Sequence, residues 1–251
     1  MASVIKTLAR SLIKAKYTVA LTGAGISTES GIPDFRSSRG LWRNTDAAKL
    51  LSLDTLYRRP EVFYSKGLEL LATMRGKKPN SAHKSLAFLE RNSLINTIIT
   101  QNIDGLHYDS GSKKILEIHG NLRTSSCHLC QEQFTFDALL NQVEQSVIPP
   151  VCSCGGIIRP NVVFFGDPMP QCFEDAVEET QKADLMLVVG SSLQVAPVAH
   201  LPSLAKELAI INLEPTPYDH VASVVIHEKA GSVLSRLVEL LQPLQDNAPN
   251  C

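Results

Sequence analysis

Short apolar segments alternate with helix-like segments along this chain, and this alternation constrains the fold more strongly than any other feature of the sequence. Helical patterns separate several of the apolar segments. One is Ser81–Arg91, with Asn80 or Ser81 as its N-cap, and another is the stripe from Val233 to Leu241. This order favours a parallel, doubly wound α/β sheet that helices cover on both faces. The predicted strands are Tyr17–Thr22, Leu94–Thr100, Ile115–Ile118, Asp184–Gly190, Ala209–Leu213 and a sixth at Val221–Ile226.

Two stretches interrupt the alternation. Residues 37–80 contain two helix-like pieces, Leu50–Tyr57 and Val62–Met74, but no convincing strand, which predicts a helical insert. Residues 122–160 carry four of the six cysteines together with Pro149-Pro150 and Gly155-Gly156, which indicates a small lobe built around something other than a hydrophobic core. We expect the remaining segments, 1–36, 81–121 and 161–251, to form the main domain.

Charge and hydropathy exclude several classes of partner. The 24 Lys and Arg residues balance 25 Asp and Glu residues, so the chain lacks the excess positive charge that drives nonspecific binding to DNA or to anionic membranes. The longest strictly apolar run, Leu185–Val189, is far shorter than the roughly 20 residues of a membrane span. We therefore expect neither nucleic-acid specificity nor a membrane partner.

The first 16 residues are basic and contain no acid, as in a mitochondrial transit peptide. Their apolar residues nevertheless follow the stripe of a helix that packs on a core, and the first predicted strand follows at once. A secretory leader with a cleavage site is not apparent either. We expect a cytoplasmic protein whose cysteines are reduced.

The paired cysteines predict a metal site. Cys127 and Cys130 form a CxxC pair, and Cys152 and Cys154 form a CxC pair, so four thiolates can meet in a tetrahedron around one Zn²⁺. An accidental cluster and a redox pair are the alternatives. Four sulfurs fill the shell, so His128 is left out, and the ion is expected to be structural because no position remains for water.

Small and polar residues follow five of the six predicted strands in the main domain. In open parallel sheets ligands bind at the carboxyl ends of the strands, where small residues let backbone N–H groups approach a phosphate. The first of these turns is only half of a GxGxxG motif, and a tight strand-to-helix turn would explain it equally well. The residues concerned are Gly23, Ala24, Gly25 and Thr28, then Gln101, Asn102, Ile103 and Asp104, then His119, then Gly190, Ser191 and Ser192, and finally Asn212.

His119 stands at a strand end and is followed by a glycine. An imidazole whose pKa lies near neutrality can take a proton from a sugar hydroxyl, so the position favours a catalytic base over a core histidine. Asp104 could bind a ribose, or it could cap a turn. Ser191 and Ser192 could form a second ribose or phosphate contact, or a simple turn.

Taken together, the motifs of this chain resemble the sirtuins, the NAD-dependent protein deacylases. The matching segments occur in the family's order across nearly the whole chain, and as a set they are far more specific than any glycine motif. They are GAGISTESGIPDFRS from Gly23, TQNIDGLH from Thr100, HGNL from His119, the four cysteines, RPNVVFFGD from Arg159, GSSLQVAP from Gly190 and INLEP from Ile211.

The resemblance implies a large Rossmann-like NAD-binding domain, a small zinc-binding lobe and a helical insert, with NAD and acyl-lysine entering the cleft between the lobes. It also implies a site for each part of the ligands. Ala24, Thr28, Phe35 and Arg36 would line the pocket for the nicotinamide ribose and phosphates; Gln101, Asn102, Ile103 and Asp104 would hold nicotinamide and its ribose; Gly190, Ser191, Ser192, Asn212, Leu213, Glu214 and Ala230 would hold the adenosine half; Val163, Phe165 and Gly166 would pair with the substrate peptide.

The implied reaction transfers the acyl group of acyl-lysine to ADP-ribose and releases nicotinamide, O-acyl-ADP-ribose and free lysine. The site must hold the weakly nucleophilic acyl oxygen against ribose C1′ while nicotinamide leaves. His119 would then remove a proton from the attacking ribose hydroxyl, Asn102 would be the second catalytic residue, and Phe35 would exclude water.

Three departures from the family pattern bear on specificity. Asp167 stands where Glu is common, and Ser191 stands where Thr is usual. Members that prefer succinyl-lysine carry Tyr-x-x-Arg on the helical insert, whereas this chain has Tyr64-Ser65-Lys66-Gly67 without the arginine. Uncharged acyl groups, acetyl first, are therefore the expected substrates.

Two alternatives use the same NAD pocket: a protein mono-ADP-ribosyltransferase, and a non-catalytic scaffold that binds NAD or ADP-ribose. A zinc deaminase is disfavoured because H-x-E is missing beside the cysteines, and a dehydrogenase because the glycine motif is incomplete.

The expected partners are acyl-lysine proteins or peptides. The sequence does not specify an oligomeric state, and a monomer is compatible with it. Its short length weakly favours a bacterial or archaeal origin.

Overall fold

The computed structural model describes residues 2–34 and 47–245 and contains a large parallel sheet and a small antiparallel one. The strands are β1 Thr18–Thr22, β2 Thr97–Thr100, β3 Ile115–Glu117, β4 Gly120–Cys127, β5 Gln133–Thr135, β6 Ile158–Val162, β7 Leu185–Val189, β8 Glu207–Ile211 and β9 Val224–Ile226. The large sheet has six strands in the order β3-β2-β1-β7-β8-β9, which confirms the predicted α/β class. The small sheet has the order β5-β4-β6.

Helices cover both faces of the large sheet and form the insert. None of the helices in the described part of the chain combines the length and the apolar composition that a membrane crossing requires. The α-helices are α1 Ala2–Lys14, α2 Ala47–Leu50, α3 Leu53–Arg58, α4 Pro60–Val62, α5 Leu68–Ala72, α6 Ser81–Arg91, α7 Leu106–Asp109, α8 Phe136–Glu144, α9 Cys172–Lys182 and α10 Ala230–Gln245; Ala24–Ser30 and Val198–Leu204 are 3₁₀ helices, and Phe63–Gly67 is a π-helical turn.

Strands β1 and β7 are buried on both faces, as the apolar centre of β1 and the unbroken apolar sequence of β7 predict. Alternate residues serve different layers. Ala20 and Leu187 pack with the helical layer of α1, α6 and α10, whereas Val19 and Met186 pack with the layer of α9 on the opposite face. This two-sided burial fixes the position and the register of the central strands.

All six predicted strands of the large sheet are present, but several are shorter than predicted. Strand β9 begins at Val224 because the Val221 and Ala222 N–H groups bond to the Tyr218 carbonyl in a turn. Strand β2 begins at Thr97 because the Asn96 side chain accepts a hydrogen bond from the Thr18 N–H at 2.8 Å. Apolar composition extends past these local turns and therefore overestimates strand length.

Asn80, and not Ser81, caps α6. Its side-chain oxygen accepts the Ala82 N–H at 2.8 Å, while its own N–H donates to His83 Nδ1 at 3.4 Å. The side-chain Nδ2 of Asn80 donates to the Ile26 carbonyl at 2.8 Å, so the start of α6 is connected to the turn that follows β1.

The small lobe has a hydrophobic core after all, which corrects the expectation from its sequence. Leu139 and Ile158 of the lobe pack with Leu56, Phe63 and Tyr64 of the insert in one buried cluster. The lobe segment alone could not reveal this core because five of its 13 buried members, between Leu56 and Leu71, belong to the insert. Strand β4 begins two residues before the predicted lobe, and β6 ends two residues after it. The domain boundaries stay a prediction.

The insert is broken into short pieces where longer helices were predicted. Pro60 begins α4, and Ser52 caps α3 by accepting the Thr55 N–H at 3.2 Å. The expected helix from Val62 to Met74 contains a π-helical turn before α5. The residues from 35 to 46 lie outside the described part of the chain.

Candidate active site

A cavity of about 1070 Å³ opens at the carboxyl edge of the large sheet, where the strand order reverses between β1 and β7. Every sequence-predicted NAD or peptide residue that the structure describes lines this cavity. Phe35 and Arg36 lie outside the described residues. The predicted residues on its wall are Gly23, Ala24, Gly25, Thr28, Gln101, Asn102, Ile103, Asp104, His119, Val163, Phe165, Gly166, Gly190, Ser191, Ser192, Asn212, Leu213, Glu214 and Ala230.

The glycines after β1 and β7 let these two loops touch. A Cβ on Gly23 or Gly25 would lie 2.8 Å from backbone atoms of Gly190, and Gly190 itself has a φ of +64°. The Gly25 N–H donates to the Gly190 carbonyl at 2.8 Å, and the Gly23 N–H donates to the Val189 carbonyl at 3.1 Å. These two N–H groups are used within the protein, and the Ala24 N–H donates to no residue that the structure describes.

This use of the glycines differs from the phosphate-approach argument made from the sequence. The glycine turn brings the strand ends together, and the N–H group on offer to a ligand is that of Ala24. The helix that follows is a seven-residue 3₁₀ helix, whose dipole is short. Close packing and ligand approach both require glycine, so the sequence could not separate them.

His119 lies between β3 and β4 on the wall of the cavity. Its Nδ1 is 3.0 Å from the Gln101 carbonyl oxygen. Because a carbonyl can only accept, Nδ1 carries the proton and Nε2 keeps its lone pair. Burial lowers the pKa of His119 below its ordinary value of 6.5, and the Gln101 contact opposes this only in part. The imidazole is therefore a neutral base at pH 7.

Ser27, which also lines the cavity, lies at the centre of a largely buried hydrogen-bond network. Its hydroxyl donates to Asp104 Oδ2 at 2.6 Å and accepts from Asn102 Nδ2 at 3.1 Å. The Asn102 amide also donates to the Gly23 carbonyl at 3.2 Å. Burial raises the pKa of Asp104, against the hydrogen bonds from Ser27 and Leu106. This network fixes the orientation of two predicted ligand residues.

Sequence reasoning missed Ser27. Its signal was present, because Ser27 belongs to the turn motif after β1, but its partners Asn102 and Asp104 lie about 75 residues away. The sequence pattern also did not indicate the apolar part of the cavity wall, which Leu51, Leu71 and Met74 form. The apolar residues of the insert do not indicate which of them face a cavity and which face the core.

Two further histidines lie buried behind the site. His107 Nε2 is 2.9 Å from Thr22 Oγ1, and the His107 and His83 rings are 5.0 Å apart. Burial lowers the pKa of His83 to about 4, and burial together with the charge of His83 lowers the pKa of His107 to about 3. Both rings are neutral in the folded protein.

We expect these two histidines to destabilise the fold in mild acid. An unfolded histidine binds a proton near pH 6.5, whereas the folded ones do not, so their stabilisation is complete above that pH and is lost as pH falls towards the folded values. At about 1.4 kcal/mol for each pH unit between the two pKa values, His83 alone accounts for about 3 kcal/mol.

Urea unfolding at pH 7 and pH 5 would measure the loss, with His83→Asn as the comparison. The wild type should lose more free energy of unfolding between these two pH values than the variant. Equal losses of unfolding free energy in the wild type and in His83→Asn would contradict the lowered pKa assigned to His83.

At the other end of the cavity, the residues after β8 are held by backbone contacts. The Asn212 N–H donates to the Ile226 carbonyl at 3.1 Å, and its side-chain amide donates to the Glu214 carbonyl at 2.7 Å. The Gly231 N–H, beside Ala230, donates to Glu29 Oε2 at 2.9 Å. The bond between Gly231 and Glu29 joins the start of α10 to the helical turn after β1.

The predicted peptide-binding residues lie on the opposite wall, after β6. The Val163 N–H donates to the His119 carbonyl at 2.9 Å. The Phe165 N–H donates to the Leu51 carbonyl at 3.1 Å, and its carbonyl accepts the Leu53 N–H at 3.0 Å. This segment therefore connects the histidine to the insert. Both backbone groups of Phe165 are used, so peptide pairing would depend on its neighbours.

Tyr64 and Lys66 do not line the cavity. Tyr64 is buried in the core that the lobe and the insert share, and its hydroxyl donates to the Ile158 carbonyl at 2.8 Å. Burial raises the pKa of this hydroxyl. Lys66 is exposed. Neither side chain therefore forms part of the wall of this cavity.

The four cysteines meet in the small lobe. Their sulfur atoms all lie within 4.8 Å of one another, with Cys127 Sγ 3.5 Å from Cys154 Sγ and Cys130 Sγ 3.6 Å from Cys152 Sγ. A zinc tetrahedron with bonds of about 2.3 Å needs sulfur separations of roughly 3.8 Å, so the residues fit the ion. None of the four lines the cavity. His128 is occupied elsewhere, since its Nδ1 accepts the Ile157 N–H at 2.8 Å.

The chain matches the model of the Sir2 family over residues 23–197. It belongs to the Sir2 family. This membership confirms the resemblance that its motifs carry. The matched range begins at the glycine turn after β1 and ends beyond the serines after β7, so it contains most of the residues that line the cavity and the four cysteines.

Relatives within the Sir2 family cover almost the entire chain. It is 49% identical over 242 residues to "NAD-dependent protein deacetylase 2" of Caldanaerobacter subterraneus subsp. tengcongensis, which covers 96% of this chain and 97% of the relative. It is 40% identical over 247 residues to "NAD-dependent protein deacylase 2" of Archaeoglobus fulgidus, with 96% and 97% covered.

Solved Sir2 structures share the fold. One, of Sir2 with a deacetylated p53 peptide and 3′-O-acetyl ADP-ribose, has a TM-score of 0.90 at 40% identity and covers 94% of this chain and 98% of its own. Another, of Sir2 with a p53 peptide and NAD⁺, has a TM-score of 0.88 at 40% identity and covers 95% and 99%.

Proposed function

We propose that this protein is an NAD-dependent protein lysine deacetylase or deacylase. It transfers the acyl group of acyl-lysine to ADP-ribose and releases nicotinamide, O-acyl-ADP-ribose and free lysine. The observation that carries the proposal is the neutral His119, whose Nε2 lone pair is left available on the wall of a cavity built at the strand-order reversal of a Sir2 fold. The names of the Sir2 relatives and the ligands of the solved Sir2 structures support the same activity.

The proposal assigns NAD to the cavity between the turns after β1 and β7. Its nicotinamide end would lie towards Asp104 and His119, and its adenosine end towards Asn212. The residues assigned to NAD are Gly23, Ala24, Gly25, Thr28, Phe35, Arg36, Gln101, Asn102, Ile103, Asp104, His119, Gly190, Ser191, Ser192, Asn212, Leu213, Glu214 and Ala230.

The catalytic residues in this proposal are His119 and Asn102. His119 accepts a proton from a ribose hydroxyl at Nε2, and the Gln101 carbonyl stabilises the imidazolium that forms by accepting from Nδ1. Asn102 holds the ribose side of the reacting centre, with its amide oriented by Ser27 and the Gly23 carbonyl. A base held near its target removes the entropic cost of bringing the two together.

Acyl-lysine would enter along Val163, Phe165 and Gly166. The insert contributes Leu51, Leu71 and Met74 to the cavity, and these apolar side chains favour an uncharged acyl group, acetyl first. One Zn²⁺ held by Cys127, Cys130, Cys152 and Cys154 would serve structure only, since its four ligands leave no open position. We further propose a cytoplasmic location, with acyl-lysine proteins as partners.

The proposal is tested by incubating the protein with a mixed acyl-lysine peptide library, with and without NAD, and analysing the peptides by mass spectrometry. NAD-dependent loss of acetyl groups is the expected result. Adenine-labelled NAD run in parallel identifies the alternative: label that stays on protein, without O-acyl-ADP-ribose, would favour mono-ADP-ribosyl transfer. If the protein binds NAD but neither NAD nor the peptides react, the result would favour the non-catalytic scaffold.

The pH dependence of kcat/KM should report the depressed pKa of His119. The base works only when neutral, so activity is lost as pH falls through its pKa. Because burial lowers this pKa, we expect the acidic limb for an acetyl peptide at saturating NAD to have its midpoint below pH 6.5. A midpoint above about pH 7 would contradict the assignment of the base.

A further inference from the structure

A part-buried ion pair supports the segment assigned to the substrate peptide, and its acid, Asp167, also lies on the wall of the cavity. Arg159 of β6 donates from Nη1 to Asp167 Oδ1 at 3.0 Å and from Nη2 to Asp167 Oδ2. The two side chains are only 17% and 12% exposed, and the guanidinium lies 5.0 Å from the centre of the Phe164 ring. A two-pronged, largely desolvated pair of this kind fixes geometry far better than an exposed ion pair does.

The same pair closes the turn that ends the segment. Asp167 Oδ2 accepts the Phe164 N–H at 2.8 Å, and the Asp167 N–H donates to the Phe164 carbonyl at 2.9 Å. Arg159 Nη2 also donates to the Val162 carbonyl at 3.0 Å. Gly166, inside the turn, has a φ of +97°, which L side chains rarely adopt. The carboxylate therefore holds the backbone on both sides of Phe165.

The segment from Val163 to Gly166 has two backbone groups that are available for hydrogen bonds to a ligand. Among the described residues, no hydrogen bond uses the Val163 carbonyl or the Gly166 N–H, and both residues line the cavity. A peptide that adds as a strand binds through such main-chain groups. Their spacing must exist before the peptide arrives, because ordering them on binding costs affinity.

We propose that Arg159 and Asp167 are positioning residues for the peptide substrate: together they hold the Val163 carbonyl and the Gly166 N–H at the spacing that an acyl-lysine peptide requires. The inference rests on the proposed deacylase function. The ion pair supports the peptide wall and makes none of the contacts assigned to NAD, so its loss should weaken peptide binding and leave NAD binding intact. Asp167 is also where the chain departs from the Glu common in its family.

The test is Asp167→Asn, which keeps the shape of the side chain and removes its charge. We expect the KM for an acetyl-lysine peptide to rise roughly tenfold or more, the range for a lost charge-assisted hydrogen bond, while kcat and the KM for NAD stay close to wild type. Asp167→Glu, which keeps the carboxylate, should restore most of the peptide affinity. The matched control is Asp137→Asn, which removes the exposed pair of Arg75 and Asp137, 50% and 66% exposed, without a change in either KM.

Anisotropy of a labelled acetyl-lysine peptide gives the same comparison without turnover, and Arg159→Lys repeats it if Asp167→Asn does not fold. An unchanged peptide KM in an active Asp167→Asn variant, or equal increases for peptide and NAD, would overturn the inference alone. A wild type that binds the peptide but leaves it acylated in the presence of NAD would instead count against the proposed function.

Discussion

Replacing His119 with alanine should abolish NAD-dependent deacylation while leaving the fold intact. General-base catalysis by a positioned imidazole contributes about 10² to 10⁴ in rate, and we expect a loss of that size in kcat for an acetyl-lysine peptide. Within the described part of the chain the side chain makes one hydrogen bond, to the Gln101 carbonyl, so its removal leaves little of that structure unsupported. The measurement is the initial rate at which free-lysine peptide and O-acetyl-ADP-ribose form at saturating NAD and peptide, because nicotinamide leaves before His119 acts.

The matched control for this variant is His200→Ala, because His200 is an exposed histidine away from the cavity wall. That variant should keep wild-type rates. The thermal midpoint of His119→Ala should lie close to that of the wild type, so lost activity can be assigned to chemistry. A fully active His119→Ala protein would show that the base lies elsewhere.

Replacing both Cys127 and Cys130 with serine should release the metal and unfold the small lobe. Structural zinc contributes on the order of 10 kcal/mol to small metal-dependent domains, which is comparable with the whole stability of a typical protein. The lobe shares one buried cluster with the insert, so its loss should spread to Phe63 and Tyr64. We expect the thermal midpoint to fall by about 10 °C or more.

Zinc content and thermal midpoint together measure this prediction. The control is Cys172→Ser, since Cys172 is a free cysteine outside the cluster. It should retain one zinc per chain and an unchanged midpoint. A metal-free wild type that is stable, or a double variant that melts with the wild type, would refute a structural zinc.

The central sheet and the edge that carries the cavity could be predicted because their signals are local. Strands such as Leu185–Val189 are buried on both faces and so appear as unbroken apolar runs, and each ends in small or polar residues that a ligand can approach. The cysteine pairs could be predicted for the same reason, because close spacing alone places two sulfurs together.

Most of the features that could not be predicted from the sequence depend on partners far along the chain. The core of the lobe needs Leu56 and Phe63 from the insert, and the role of Ser27 needs Asn102 and Asp104. Arg159 and Asp167 are only eight residues apart, yet the role of their ion pair depends on the turn between them and on the cavity that this turn faces. Spacing in sequence does not disclose such contacts.

The most direct measurement of the central claim is the stoichiometry of one reaction between the purified protein, an acetyl-lysine peptide and NAD. If the cavity breaks the bond to nicotinamide and passes the acetyl group to the ribose, mass spectrometry will find nicotinamide, free lysine peptide and O-acetyl-ADP-ribose in equal amounts. Free acetate with intact NAD, or a peptide that stays acetylated while NAD is consumed, would contradict the account.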